Sequence, residues 1–357
     1  MRKKRWLKFN VSFLLTFVLV ALPFISAHGA EPTPAAVQKP YNIEIYSLFQ
    51  GSSVYVLGVA LADLINKHSP WLRATAIASR GNTANTRLLA TDLKKRKNTI
   101  ANINFTDHFF AKEGRLPGME GVKYETSKVV GLICLIGLGP VTLDPKIKNI
   151  KDFAGKRFAV GPKAVWGQSE KVKGIFKGAG VYDKIKFENM EFEKAKDALL
   201  DGLIDGASFG AIYIGGGKWA PSPALEELLV SKDVHFVQWN PEDISEAARL
   251  LQVPQDLTMN HVVIQPGRVS PKQREPWSVN NTYMLWGADV DMPDEVAHEI
   301  CRIMYEHSAE FGKYHITGKA ITKETLSKSE STDPKWVHPG ALKFFKEKGL
   351  QLGPIKD

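Results

Sequence analysis

From Tyr41 onward, hydrophobic and polar positions alternate in blocks that switch between strand and helix periodicity. Tyr41–Leu48 sets Ile43 and Ile45 against Asn42 and Glu44, the two-residue alternation of a half-buried strand. The turn Gln50-Gly51-Ser52-Ser53 supplies helix N-cap residues. Val56, Val59, Ala60, Leu61, Leu64 and Ile65 then keep helical spacing until Pro70. Arg73–Ser79 predicts a second strand, Gly81-Asn82-Thr83 a turn, Asn85–Lys95 a helix and Asn98–Phe105 a short strand. This is β-α-β-α-β. Lys128–Val141 is a long apolar strand of the kind that runs through an interior. The rhythm then restarts with the strand Phe158–Gly161, the loop Gly161–Gln168, the helix Ser169–Lys177, the strand Lys184–Phe187, the helix Glu193–Leu200 and the strand Ile204–Phe209. A short helix at Ala224–Leu229 and a strand at Val234–Trp239 follow. A strand-rich patch at His261–Gln265, a helix over Asp294–Phe311 and a last helix after Pro339-Gly340 complete the pattern.

Two such units on either side of a strand-like crossing predict two α/β lobes, the count that length also favours. The expected first lobe is 41–127 with 237–357, and the second is 128–236.

The N-terminus changes the charge balance. Arg2, Lys3, Lys4, Arg5 and Lys8 precede the apolar run Val11–Ile25, and small residues follow at Ser26, Ala27, Gly29 and Ala30. That order predicts a cleaved export signal over 1–30. The alternative, an uncleaved anchor, would have to span with about 15 apolar residues where about 20 are needed. Residues 31–40, rich in Pro and Ala, read as a flexible leader. Without the five basic residues of the signal, 42 Lys+Arg face 38 Asp+Glu, a net +4. That excess, spread along the chain, gives no argument for nucleic-acid binding. Cys134 and Cys301 lie in apolar surroundings and read as two buried free thiols.

Enzyme signatures are missing. Gly215-Gly216-Gly217-Lys218-Trp219 resembles the end of a phosphate loop, but Trp219 stands where a Mg²⁺-binding hydroxyl is needed. The histidines lack metal-ligand spacing, so no metal and no cofactor is expected. Asn280-Asn281-Thr282 matches a glycosylation acceptor, a pattern frequent by chance. What recurs is strand, polar turn, helix: Phe49–Ser53, Ser79–Thr83 and Gly161–Ser169. Helix starts of this kind present free N–H groups and partial positive charge to a carboxylate. The same Ser, Thr and Asn residues also cap helices without any ligand, and both readings stand at this point.

Several ordered stretches resemble the solute-binding proteins of the TAXI group of tripartite ATP-independent periplasmic (TRAP) transporters. They are Gly51–Tyr55 with Leu61–Lys67, Ser79–Asn85 with Arg87-Leu88-Leu89, Ile150–Gly161, Ala198–Asp205, Pro221–Leu228 and His338-Pro339-Gly340-Ala341 with Phe344–Glu347 and Gly349. The resemblance implies a type II periplasmic-binding-protein fold, two α/β lobes joined by a hinge. It also implies a periplasmic location and capture of a small organic acid or amino acid between the lobes, for delivery to TRAP permease subunits. No catalysis is implied. Carried over, ligand contacts fall on Gly51, Ser52, Ser53 and Tyr55 in the first turn and on Asn82, Thr83 and Asn85 in the second. Val165, Trp166, Gly167 and Gln168 supply the second lobe.

The chain departs from the family pattern at three places. Arg80 replaces a customary Gly and could pair with a ligand carboxylate or face solvent. Asp107 is kept in Asn104-Phe105-Thr106-Asp107, but the preceding Gln is not. Trp166 stands in a turn that is usually small, where it would stack on a ligand or pack. Two other functions remain open: a periplasmic partner of a sensor kinase or chemoreceptor, and an exported enzyme using the adjacent Asp107 and His108.

Overall fold

A computed structural model describes residues 39–163 and 165–355. The expected export signal, and all of the expected leader except Lys39 and Pro40, lie outside the described residues. The first unit runs β1 (Tyr41–Tyr46), α1 (Ser53–His68), β2 (Leu72–Ile77), α2 (Asn82–Thr91), β3 (Thr99–Ile103) and α3 (Phe105–Glu113). Ser52 caps α1 by accepting the Tyr55 N–H at 3.2 Å. The Asn66 amide clamps both backbone groups of Ala74 at 2.9 Å, which fastens α1 to β2. Helix α3 was not expected from the pattern. Its start is fixed by Asn104, whose side chain accepts the Asp107 N–H, and its end by Gly114 in the left-handed region.

The chain continues through β4 (Ser127–Thr142), β5 (Arg157–Val160), α4 (Glu170–Gly178), β6 (Lys186–Asn189), α5 (Phe192–Leu200), β7 (Gly206–Gly215) and β8 (Lys218–Pro221). Gly215-Gly216-Gly217 makes the turn between β7 and β8, the plain glycine turn rather than a phosphate loop. Next come α6 (Pro223–Ser231), β9 (His235–Phe236), α7 (Pro241–Leu251), α8 (Gln255–Thr258), β10 (Asn260–Ile264) and β11 (Trp277–Asp289). The last elements are α9 (Asp294–Glu306), α10 (Phe311–Tyr314) and α11 (Pro339–Glu347).

The fold is mixed α/β around one central sheet in the order β2-β1-β3-β11-β4-β7-β5-β6. The arrangement β2-β1-β3 recurs as β6-β5-β7, so the two βαβαβ rhythms of the sequence become two similar half-sheets. Antiparallel β4 and β11 join them. Among the described residues no helix is long and apolar enough to cross a membrane. Cys134 and Cys301 are both buried and free.

The thirteen-residue β11 is the element the pattern concealed. One edge pairs with β4 from Asn280 to Asp289. The other edge is shared: β10 takes Trp277–Asn281 and β3 takes Leu285–Ala288. Among the described residues, β10 and β3 leave Thr282, Tyr283 and Met284 unladdered on that side. A register shift falls at Met284/Leu285. The Asn280-Asn281-Thr282 acceptor pattern lies inside this strand with both asparagines buried, out of reach of any modifying enzyme.

The stretch His338-Pro339-Gly340-Ala341 builds a helix start. His338 is fully buried and caps α11 by accepting the Gly340 N–H, and Pro339 occupies the first turn. A Cβ on Gly340 would stand 2.0 Å from the Asp294 carbonyl oxygen, so glycine is what lets α11 approach the start of α9.

Candidate functional site

Five consecutive residues of β11, Asn281 to Leu285, gather side chains from segments far apart in sequence. On the Thr282 and Met284 face, the Lys171 ammonium donates to the Thr282 hydroxyl at 3.0 Å. The Asn82 amide donates to Asn102 Oδ1 at 2.9 Å and approaches the Met284 sulfur at 3.9 Å. Asn102 reaches the Leu285 carbonyl at 3.4 Å. At the open edge, the Tyr283 N–H donates to the Glu330 carboxylate at 3.0 Å, so a side chain takes the place of the missing strand.

Lys171 is the unusual member. It sits in the first turn of α4 with 1% of its surface exposed, and Thr282 is its one hydrogen-bond partner among the described residues. Burial drives its pKa down to about 7, opposed by the nearby Glu330 charge. Burial likewise pushes Glu330 up to about 8, against the pull of the Tyr283 N–H and of Lys171. These two groups face each other across β11 without a direct ion pair. A carboxylate placed beside Lys171 would restore its full charge and supply the acceptor it lacks.

The residues expected from the sequence fall into three groups. Asn82, Thr83, Asn85 and Asp107 are brought together. Thr83 donates to Asp107 Oδ1 at 2.9 Å, and Asn104 donates to Oδ2 at 3.1 Å. Asp107 is 3% exposed, and burial raises its pKa to about 6 although both donors lower it. The Asn85 amide is occupied by the carbonyls of Ser47, at 2.8 Å, and Asn102, at 2.9 Å, tying the ends of β1 and β3. In the first turn, Gly51 holds a positive φ, Ser52 caps α1, and Ser53 and Tyr55 are half-buried on its first turn. Arg80 is exposed at the end of β2, with no ion pair among the described residues.

Val165, Trp166, Gly167 and Gln168 form a separate group before α4. Trp166 packs edge-on against Phe110 of α3, with ring centroids 4.9 Å apart. Gln168 lies over Gly161, whose N–H donates to the Gln168 carbonyl at 2.8 Å. Close by, Arg115 stacks on Phe110 and donates to the carbonyls of Leu251 and Gln252 at 2.9 and 2.8 Å.

The adjacent Asp107 and His108 do not act as a pair. His108 Nε2 shares a hydrogen bond with the Ser127 hydroxyl, and burial lowers its pKa to about 3. Its ring is 4% exposed. Elsewhere, the end of α1 and the turn that follows α9 bring His68, His307 and Glu310 within metal-ligand range. The two imidazoles are stacked at 3.5 Å, however, so their in-plane lone pairs do not meet at one point.

Sequence reasoning missed Asn102, Lys171, Thr282 and Glu330. A polar residue inside the apolar strand Thr99–Ile103 was the available signal for Asn102. Thr282 was hidden by its glycosylation-like context.

The sequence matches the model of the NMT1-like family over residues 49–349. No curated protein matches the chain. Among solved structures, MatC from Rhodopseudomonas palustris with bound malate has 10% identity and a TM-score of 0.47, covering 86% of this chain and 96% of that one. A TctC solute-binding protein from Polaromonas has 14% identity and a TM-score of 0.44, with 80% and 88% coverage. The probable amino-acid ABC transporter extracellular-binding protein ytmK from Bacillus subtilis has 11% identity and a TM-score of 0.44, with 80% and 99% coverage. The family match begins in the first polar turn and ends just past α11, taking in the whole of the β11 gathering, and the chain therefore belongs to the NMT1-like family.

Proposed function

We propose that this protein is a periplasmic solute receptor that captures a small organic acid or amino acid by its carboxylate and delivers it to TRAP permease subunits. The ligand lies between a first lobe, 41–127 with 237–357, and a second lobe, 128–236. The observation that carries this reading is Lys171 in the first turn of α4, a buried ammonium with a single, neutral hydrogen-bond partner among the described residues. An isolated buried cation is costly, and an anion that fills its coordination is the natural remedy. The start of α4 adds partial positive charge at the same place. The Asn82 amide hydrogen that now meets only the Met284 sulfur and the start of α1 supply further donors, and the exposed Arg80 offers a charge to a second carboxylate. Bound ligand favours whichever lobe arrangement grips it more tightly, and that arrangement is what the permease recognises.

Mass spectrometry of the molecule that copurifies, followed by calorimetry with mono- and dicarboxylates and amino acids, tests the reading. The expected result is micromolar or tighter binding of a carboxylate, accompanied by a change in tryptophan fluorescence that Trp166→Phe diminishes. Absence of heat and of any melting shift across the series would overturn it.

A further inference from the structure

On the other face of β11, Asn281 and Tyr283 point away from Lys171 toward a cavity of about 170 Å³ between β8, β10 and the C-terminal segment. Leu135, Tyr213, Trp219 and Ile355 form its apolar and aromatic wall. Three polar side chains line the same cavity, and each has one atom without a partner among the described residues: Asn281 Oδ1, His261 Nε2 and Glu330 Oε2. Asn281 is 5% exposed, and the Oε2 and Nε2 atoms are closed off from solvent. Buried polar atoms are almost always paired, so three orphans around one cavity point to an occupant.

Their chemistry says which kind. An amide oxygen accepts only, and the Glu330 carboxyl, protonated by its burial, gives up that proton when a cation lies beside it, so that Oε2 then accepts too. Burial lowers the pKa of His261, so its ring is neutral and Nε2 can accept as well. Three acceptors call for three donors on one small centre, which a primary ammonium provides. The faces of Trp219 and Tyr213 favour a cation at close range. A carboxylate would instead set an oxygen against Asn281 Oδ1 and bring no donor to His261 Nε2, and a tertiary amine would leave two acceptors unmet. At roughly 30 Å³ per water, the space equals about five or six waters, room for a short alkyl chain.

We propose that this cavity is a second binding site, for a small primary amine in its ammonium form, held by Asn281 Oδ1, His261 Nε2 and Glu330 Oε2. It does not depend on the carboxylate reading. Calorimetry and NMR titration of the full chain with n-propylamine, trimethylamine, 1-propanol and propionate at neutral pH provide the test. n-Propylamine should bind at least ten-fold more tightly than trimethylamine, and 1-propanol and propionate should not bind there. Glu330→Gln should weaken n-propylamine at least ten-fold, and His261→Phe, which fills the space, should abolish it. Should either variant fail to fold, the four-probe comparison on the unaltered chain still decides. No amine binding, with ordered waters alone in the cavity, or equal binding of 1-propanol or propionate, would overturn the proposal.

Discussion

Trp166 meets Phe110 edge-to-face at 4.9 Å, joining the loop that precedes α4 to helix α3. The first belongs to the restart of the sequence rhythm and the second to its opening unit, so this contact ties together the two halves of the chain. Trp166→Ala should lower stability by about 1–3 kcal/mol, combining lost burial with the ring–ring term. Trp166→Phe should keep most of it. Urea denaturation compares them, and an unchanged midpoint in the alanine variant would mean that the contact carries no stability.

Lys171→Met replaces a desolvated cation with a side chain of similar length. Stability without ligand should rise by about 1–3 kcal/mol, because among the described residues the ammonium has only Thr282 as a hydrogen-bond partner. Affinity for a carboxylate ligand should fall at least ten-fold. A destabilised variant would show that the charge is already paired in the free protein.

The pH dependence of folding separates Lys171 from Glu330. Glu330 has its pKa raised from 4.5 to about 8, so the folded protein keeps a proton that the unfolded chain releases. Its contribution is fully present below pH 4.5 and is lost by about pH 8. Lys171, lowered from 10.5 to about 7, acts in the opposite sense, and stability rises with pH between those values. Denaturation of Glu330→Gln from pH 4.5 to 10.5 should lack the acid-side decline and retain the alkaline-side rise. A curve parallel to that of the unaltered protein would refute the assignment.

Much of this architecture was legible because it rests on local rules. The capping serine of α1, the apolar run of β4 and the proline and glycine of α11 each announce themselves within a few residues. Helix α3 did not, because Phe105, Phe110 and Ala111 are buried together on a segment that also carries Asp107 and His108, which blurs its period. Strand β11 was obscured for a related reason: its centre is polar where side chains from α2, β3, α4 and the C-terminal region meet. Lys171 could not be singled out, since a lysine in a first helical turn looks like an ordinary solvated residue. Only the folded chain, which brings Thr282 to it from 111 residues away, leaves it 1% exposed. The turns were visible as polar punctuation, but whether each side chain faces a ligand or a carbonyl, as Asn85 does, is decided by long-range packing.

Gly340→Ala should cost about 1–3 kcal/mol, because the new methyl would overlap the Asp294 carbonyl and force α11 away from α9. Thermal melting checks this, and a neutral result would mean that the two helices can shift apart freely.

Among the described residues, the stretch Thr282–Met284 is laddered to β4 on one edge and to neither β10 nor β3 on the other, with a register shift at its end. A ribbon supported on a single side flexes there in preference to its doubly bonded stretches. If the receptor opens and shuts as proposed, it can pivot about this point without tearing a single ladder bond on the free edge. Glu330 would then serve as a detachable latch on the Tyr283 amide rather than as a fixed rivet.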